Sequence, residues 1–290
     1  MLQRLVGDGK VIEGRYRQGV DEQEYMGAEV LRIVRTRSLA AARAQTRPVS
    51  QSALGRFMPA WLNVAPIGVR PPLRGSDGVY SVIEQLAGVR LPASAWESMI
   101  LPSRVGDYSP EMLDELTLSG EVQIVGAGKA GARDPWIMLL PADYAAQLMP
   151  VPEEPMLSLT QQQVMEKLNV GGGYLFTDLL GPASEATTTA DELRESMWDL
   201  VEAGLIAPDS FAPIRARLAG GKHGKTAHRA KRRPSRSRLR SGRTSFATVT
   251  PPDMTGRWAA TPTPDTDPTQ RSLAHGEAWL DRYGVVTRGS

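Results

Sequence analysis

Two glycine-rich stretches are the first candidates for chemistry, because backbone amides in such loops can hold phosphate groups. The stretch AGGKHGKT, residues 219–226, would match the phosphate-binding pattern G-x-x-x-x-G-K-[ST] only if glycine replaced Ala219. The stretch GAGKAGARD, residues 126–134, joins two predicted strands and does not open a helix. We therefore interpret the first as a flexible basic segment and the second as the tip of a β-ribbon, and we expect a nucleotide site in neither.

Side chains suited to metal binding or nucleophilic catalysis are scarce. The absence of cysteine excludes thiol catalysis and cysteine-ligated zinc, and it fits a reducing compartment. His223 and His228 lie in a basic stretch without nearby carboxylates, and His275 stands alone on a predicted helix. The more prominent acids occupy helix starts and faces where ordinary solvation explains them: Asp107, Asp114, Glu115 and Asp199. The sequence thus predicts no catalytic residue, no metal site and no cofactor in this chain.

The charge distribution indicates a polyanionic partner. Residues 215–245 hold 12 of the 34 lysines and arginines and no acid, which leaves 22 basic against 32 acidic residues elsewhere, a net charge of −10. A basic segment on an otherwise acidic chain favours a polyanion, and DNA is the leading candidate. If half of these side chains contacted phosphates, binding would weaken roughly a thousandfold between 50 and 200 mM salt.

The predicted DNA-contacting residues fall into three groups. Those before the basic segment lie on a predicted helix and on the ribbon tip: Arg32, Arg35, Arg37, Lys129 and Arg133. Those within it are Lys222, Lys225, Arg229, Lys231, Arg232, Arg233, Arg236, Arg238, Arg240 and Arg243. Trp258 is a predicted stacking platform for an unpaired base, because proline-rich sequence with little apolar material surrounds it. For any single basic side chain, a solvated surface position explains the sequence equally well.

A repeated pattern indicates which elements carry these residues. Three stretches align on Gly9, Gly120 and Gly204, with leucine four residues before each glycine and valine or isoleucine two residues after it. The spacing predicts a helix, a left-handed glycine that ends it, and a strand. A winged helix finishes in this order, although a single copy would be common in many α/β and α+β proteins.

The context of the second copy predicts its helices. Ser76 should cap a helix whose buried face is formed by Val79, Val82, Ile83 and Leu86. A short helix should lie between Pro92 and Pro102, and Ser109-Pro110 should open the last helix. In the first copy, the helix over residues 28–45 should turn Leu31, Val34 and Leu39 inward.

We therefore predict an α+β fold of tandem winged helices joined by a disordered basic linker. The predicted domains are a truncated winged helix with a basic helix, two fuller winged helices, a basic and proline-rich linker, and the start of a further winged helix: residues 1–60, 73–148, 156–214, 215–266 and 267–290. The first copy begins inside its last helix, so residues 1–60 should aggregate or need a partner to fold. The chain lacks a signal-peptide pattern and an 18-residue apolar run, so we expect a soluble, cytoplasmic protein without membrane contact.

The sequence also resembles the large helicase-related (Lhr) family, which comprises long bacterial ATP-dependent DNA helicases. The similar stretches run in family order over nearly the whole chain, and the more extensive ones are AEVLRIVRTRSLAAARA, RGSDGVYSVIEQLAGVRLPASAWESMILPSRVGDYSPEMLDEL, GEVQIVGAGKAGARDPWIMLLPAD, SMWDLVEAGLI and LDRYGVVTRGS. The resemblance implies a segment just after the motor module, where the winged helices of a C-terminal region begin. ATP, Mg²⁺, 3′-to-5′ translocation and DNA repair belong to the family's complete proteins, and the motor motifs are not found in this sequence.

Three hypotheses follow for the function. The first is a non-catalytic DNA-binding and scaffolding segment of a split or shortened helicase, with single-stranded DNA or repair intermediates as ligand. The motor and C-terminal parts of the same helicase would be its partners, and an oligomer is compatible with the family. The second is base excision of the kind that winged-helix DNA glycosylases perform, and the third is a gene fragment without function.

Overall fold

The computed structural model describes residues 2–16, 22–45, 50–65, 72–151, 156–180, 188–220 and 250–286. Its contacts divide the chain into two units, which we call the N-terminal unit, residues 1–56, and the main unit, residues 57–290. Helix α3 (Gln51–Trp61) spans the boundary between them.

The N-terminal unit consists of a helix, a hairpin and a long second helix. Its elements are α1 (Leu2–Gly7), β1 (Val11–Gly14), β2 (Glu24–Gly27) and α2 (Ala28–Gln45), and β1 pairs antiparallel with β2. Leu31 is buried, but Val34 and Leu39 are 48% and 57% exposed, so the predicted inward face of α2 is wrong beyond its first turn. The hairpin packs against α2, and Leu31 is the one buried residue of α2 among those whose burial the structure describes.

Residues 72–151, which we call module A, form the first half of the main unit. Its elements are α4 (Gly75–Gln85), β3 (Leu91–Pro92), α5 (Ala93–Ala95) with a π-helical turn (Trp96–Ile100), α6 (Pro110–Leu118), β4 (Val122–Lys129), β5 (Pro135–Pro141) and α7 (Ala145–Leu148). The three strands form an antiparallel sheet in the order β3-β5-β4.

Residues 156–261, which we call module B, repeat this order of elements. They form α8 (Leu159–Leu168), β6 (Tyr174–Leu175), α9 (Phe176–Leu180), α10 (Ala190–Glu202), β7 (Ile206–Pro208), α11 (Ala212–Leu218) and β8 (Arg257–Ala260). The sheet order β6-β8-β7 corresponds to that of module A, with the last strand again in the middle. Helix α9 follows β6 directly, as α5 follows β3 in module A.

The two modules share one apolar core, which contains Trp96 and Leu139 of module A with Trp198 and Phe211 of module B. Their backbones approach closely at Gly126, where an added Cβ would lie 1.6 Å from the carbonyl oxygen of Val201. Glycine at this position therefore allows α10 to pack directly on β4. The modules form one body within the main unit.

Helix α12 (Pro268–Tyr283) completes module A, although it follows module B in the chain. Ala278 is buried in a second core cluster with Ala87, Val125 and Met138. Arg282 Nη2 donates to the Ala87 carbonyl oxygen at 2.6 Å. The predicted start of a further winged helix, residues 267–290, thus packs on module A through α12, and residues 287–290 lie outside the described part of the chain.

Many local predictions are confirmed. Gly9, Gly120 and Gly204 all have left-handed φ angles, of +69°, +83° and +74°, each just after a helix and before a strand. The predicted buried face of α4 is buried, and α6 begins at Pro110. The cap at Ser76 is wrong, because α4 begins at Gly75 and its first amide donates to the Asp107 carboxylate at 3.0 Å.

The predicted linker, residues 215–266, is wrong at both ends. Arg215 and Arg217 belong to α11, and Arg257–Ala260 form the central strand of module B. Strand β8 pairs with β7 and β6, which lie far from it in the sequence, and no local sequence pattern predicts such a pairing. Residues 221–249, the middle of the predicted linker, lie outside the described part of the chain.

Candidate nucleic-acid interface

The hairpin of module A ends in a compact, exposed tip. The amides of Ala130 and Gly131 both donate to the Asp134 carbonyl oxygen at 2.9 Å. The Asp134 carboxylate in turn accepts from the Ser94 amide at 3.1 Å and from the Ser94 hydroxyl at 2.6 Å. These bonds tie the turn to the start of α5, so the tip presents Lys129 and Arg133 on a fixed backbone.

Lys129 is only in part available to a ligand. Its ammonium lies 3.4 Å from the carboxylate of Glu202, and the two side chains are 55% and 12% exposed. Burial raises the pKa of Glu202, and the charge of Lys129 partly offsets that rise. Lys129 therefore has two roles: it offsets the negative charge of the Glu202 carboxylate in module B, and it contributes positive charge at the tip.

Arg133 is exposed and lies against the end of α11. A Cβ added at Gly220 would lie 2.6 Å from Nη1 of Arg133, so the missing side chain of this glycine makes room for the guanidinium. No ion pair of Arg133 occurs within the described ranges. Gly220 is the last described residue before the ten basic residues from Lys222 to Arg243 that were predicted to contact DNA.

A cation–aromatic pair lies on the same hairpin. The guanidinium carbon of Arg90 is 5.7 Å from the ring centroid of Trp136, and Trp136 is the one incompletely buried residue of β5. Across the sheet, a Cβ at Gly128 would lie 3.8 Å from this ring. Neither Arg90 nor Trp136 was singled out from the sequence. Because β5 is apolar throughout and buried at its other positions, its sequence carries no alternation that would mark Trp136 as exposed.

Module B has a different connection at the equivalent position. Strands β7 and β8 pair as β4 and β5 do, but residues 209–256 separate them. This connection contains α11 and then the ten basic residues from Lys222 to Arg243. The basic segment is thus an insertion between the two strands that correspond to the wing of module A.

The helices that precede the two hairpins carry mainly acidic side chains. On α6 the exposed residues include Glu111 and Glu115, and on α10 they include Asp191, Glu192 and Asp199. Arg194, the one basic residue of α10, binds Asp253 with both Nε and Nη2, the latter at 2.7 Å. These helix faces would repel phosphate, whereas the hairpin tip of module A attracts it.

Basic residues of α11 have structural roles. Arg215 lies between Glu97 and Asp114 of module A, at 2.6 and 2.7 Å, and Arg217 pairs with Glu195 at 2.9 Å. Tyr108 also donates to Glu97, and its burial raises the pKa of this phenol. Arg215, counted with the basic segment, therefore joins module B to module A, and Arg217 joins α11 to α10 within module B.

The arginines of α2 lie in the N-terminal unit. Arg32, Arg35 and Arg37 are all exposed, and Arg32 pairs with Glu29 at 3.1 Å in an open setting. With 3.6 residues per turn, Arg35 lies near Arg32 around the helix, while Arg37 points about 140° away. The helix therefore brings two of these three residues onto one face and separates the third.

Trp258 does not present a surface for stacking. Its side chain is fully buried, its Nε1 donates to the Met254 carbonyl oxygen at 3.4 Å, and its ring meets Trp198 edge-on at 5.8 Å. The prediction that little core surrounds Trp258 is wrong, because β8 inserts it into the core of module B. Base stacking on this ring would require module B to open.

The ten basic residues from Lys222 to Arg243 that were predicted to contact DNA lie outside the described residues. Elsewhere, in the ranges that the structure does describe, histidine and acidic side chains form no cluster suited to a metal ion. None of the helices in those same ranges is long and apolar enough to cross a bilayer.

Known proteins with similar sequences include a winged-helix domain family and two longer relatives. The winged-helix domain of large helicase-related proteins matches residues 49–142, which include α3 and the helices and hairpin of module A. The chain is 41% identical over 291 residues to the "Lhr helicase/ probable uracil glycosylase" of Mycolicibacterium smegmatis, and 36% identical over 311 residues to the "Lhr helicase/uracil glycosylase" of Escherichia coli. These alignments cover 100% and 99% of the chain but 19% of each relative. Residues 49–142 thus form a winged-helix domain, and the chain belongs to the large helicase-related family.

Proposed function

We propose that the chain is a non-catalytic segment of a large helicase-related protein that binds DNA through the connections of two fused winged helices. In this proposal module B is a second winged helix, because it repeats the element order and sheet order of module A. The ligand is single-stranded DNA or a repair intermediate, and the partners are the motor and the C-terminal parts of the same helicase. ATP and Mg²⁺ act at the motor, in the cytoplasm, and an oligomer is compatible with this arrangement.

One observation carries the proposal: Arg133 of the module A tip lies against Gly220, the last described residue before the basic residues from Lys222 to Arg243. Module A contributes Lys129 and Arg133 from its hairpin tip, and module B contributes the segment that begins after Gly220. A wing is one of the elements that carry side chains to DNA in winged-helix proteins. Adjacent basic connections would cover more of a phosphate backbone than either one alone.

The acidic faces of α6 and α10 favour contact with DNA through the wings and not through these helices. Helices that repel phosphate are poor candidates for insertion into a groove, so contact falls to the wings. Lysine and arginine bound to phosphates fix the position of a protein on DNA without reading sequence. We therefore expect binding that depends strongly on salt and little on base sequence.

The proposal is tested by a filter-binding titration between 50 and 200 mM salt. If six phosphates are neutralised, the slope of log affinity against log salt should be about −5 on duplex DNA and somewhat smaller on single strands. Replacing the ten basic residues from Lys222 to Arg243 with glutamine should remove most of this slope. A matched control shuffles residues 221–249 and keeps their composition, and it should retain the slope. Absence of binding at 50 mM salt, or a slope near zero, would refute the proposal.

Uracil excision is a second candidate, since the names of both relatives include a uracil glycosylase. Such chemistry needs a carboxylate beside a pocket for an extruded base. Asp209 lines a cleft of about 190 Å³ between β4 and the β7–β8 pair, together with Gln123 and Arg257. The test incubates the chain and its Asp209→Asn variant with uracil-containing single-stranded DNA. Abasic product that disappears in the variant would favour this candidate, and absence of product from both would count against it.

A further inference from the structure

A cavity of about 490 Å³ lies in the main unit, away from the hairpin tip. It is enclosed by the C-terminal end of α3 and by the segment that joins the π-helical turn to α6. Its wall is mostly apolar and includes Phe57, Trp61, Val64, Leu73, Pro102 and Val105. The volume lies in the range of ligand pockets, which are typically about 300 to 1,000 Å³.

The aromatic side of this cavity is held firmly. Phe57 and Trp61 stack with their ring centroids 5.4 Å apart. Trp61 Nε1 donates to the Asp281 carbonyl oxygen at 2.9 Å, and Gln85 Nε2 donates to the Trp61 carbonyl oxygen at 2.9 Å. Even so, Phe57 and Val64 remain 41% and 44% exposed. The wall is therefore preformed and keeps apolar surface open to a ligand.

Arg104 is the charged residue of the cavity lining. Its Nη1 donates to the Ile100 carbonyl oxygen at 3.0 Å and to the Ser103 hydroxyl at 3.1 Å. Its Nε is buried without a hydrogen-bond partner, and among the described residues it forms no ion pair with a carboxylate. By contrast, Arg194, Arg215 and Arg217 of the same unit are each paired with an acid. A half-buried guanidinium without a counterion favours an anionic group brought by a ligand.

We propose that this cavity docks a peptide segment of a partner protein in which an acidic residue adjoins large apolar side chains. The apolar side chains would fill the space between Phe57 and Val105, and the carboxylate would bind Arg104. Nucleic acid fits less well, because a groove that follows a phosphate backbone needs a series of cations and the described residues of this lining include one. In addition, one face of Trp61 is already covered by Phe57.

The first experiment selects phage-displayed random nonapeptides on the immobilised full chain. We expect enrichment of sequences with Asp or Glu within two positions of Leu, Ile, Phe or Trp. The best peptide is then labelled with fluorescein, and its Kd is measured by anisotropy. Failure to enrich any sequence over a bare surface, or enrichment of peptides without an acid, would overturn the proposal.

Variants assign the binding to the cavity. Arg104→Met should raise the peptide Kd at least tenfold. Because Arg104 also bonds to Ile100 and could affect folding, the exposed Val64 provides a second test: Val64→Asp should weaken binding to a similar degree, and Val64→Lys should not. Arg74→Met, an exposed position outside the cavity lining, is the matched control and should leave the Kd unchanged.

The same variants separate this site from the DNA interface. The salt-dependent DNA binding of the chain should survive both Arg104→Met and Val64→Asp, since neither residue lies at the hairpin tip. Peptide binding that neither variant changes would place the peptide elsewhere and refute the proposal. If both variants instead abolish binding of a nine-nucleotide oligo(dT), the cavity is a nucleic-acid site and the peptide proposal is wrong.

Discussion

Modules A and B have the same order of elements but close their sheets differently. In module A a short turn joins β4 and β5, and the strands pair over most of their length. In module B the pairing covers three residues, and residues 209–256 intervene. The longer connection is anchored by groups that module A does not need: Asp253 and Trp258, both fully buried. A wing can thus accept a long insertion if buried residues in and just before its second strand hold that strand in place.

The largest expected effect comes from removing one such anchor with Asp253→Ala. The Asp253 carboxylate accepts bonds from Arg194 Nε at 2.9 Å and Nη2 at 2.7 Å, and from Trp198 Nε1 at 3.2 Å. Its loss leaves a partly enclosed guanidinium without its counterion, which typically costs about 3–5 kcal/mol. Urea unfolding followed by tryptophan fluorescence measures the change.

The control for this variant is Asp199→Ala, an exposed acid on the same helix as Arg194. It should change the free energy of unfolding by no more than about 0.5 kcal/mol. If Asp253→Ala is as mild as its control, then the return of β8 does not depend on this anchor, and the comparison of the two modules fails.

A second variant tests whether the two modules act as one body. In Gly126→Ala the new methyl group would overlap the Val201 carbonyl, so β4 and α10 must move apart. We expect a loss of about 1–3 kcal/mol, as for other overpacked cores. Urea unfolding should also become broader if the modules then unfold separately.

Gly131→Ala on the same hairpin is the matched control, because its nearest neighbour would be the Asp134 Cβ at an ordinary 3.6 Å. Both variants replace glycine with alanine, so both lower the entropy of the unfolded chain by the same amount. The difference between their free energies of unfolding therefore reports the contact between modules. Equal stability of the two variants would show that the modules are not pressed together at Gly126.

The parts of the fold that sequence predicts are those with local causes. Gly120 and Gly204 end helices because the left-handed conformation suits glycine, and Pro110 starts α6 because its ring fits a first helical turn. The pairing of β7 with β8 has no local cause, since it joins residues on either side of a long insertion. Trp258 was misjudged for this reason: its core is formed by distant residues.

In the candidate site, too, sequence predicts the local features and misses the contacts between distant residues. Sequence reasoning selected Lys129 and Arg133 correctly as residues of a ribbon tip, because glycines surround them between two apolar strands. It did not show that Lys129 pairs with Glu202 or that Arg133 lies beside Gly220. Both contacts are made by module B, so they depend on how the modules pack. The role of Arg215 in that packing was not predicted either, because Arg215 lies next to a basic run in the sequence.

The pairing of Lys129 with Glu202 predicts a pH-dependent effect. Burial raises the pKa of Glu202 above its unfolded value, so folding binds this proton more tightly and stability falls as pH rises through that interval. At neutral pH Lys129 offsets part of the cost. Lys129→Met should therefore destabilise the chain at pH 7 by roughly 0.5 kcal/mol, discounted for the exposed lysine, and have little effect at pH 4.

Urea unfolding at both pH values measures this difference. In the Glu202→Gln background the carboxylate is absent, so Lys129→Met should then have no pH-dependent effect. A loss of stability that is equal at pH 4 and pH 7 would mean that the lysine stabilises the hairpin by packing and not by its charge.

The smallest expected effect distinguishes the two basic residues of the tip in DNA binding. Arg133 has no ion pair within the described ranges, so its full charge is available to a phosphate. Lys129 must share its charge with Glu202. Arg133→Met should reduce the magnitude of the salt slope by about 0.9, the value for one phosphate contact, and Lys129→Met should reduce it by less. Equal reductions would show that DNA draws Lys129 away from Glu202. In that case Lys129 would bind DNA in preference to joining the two modules.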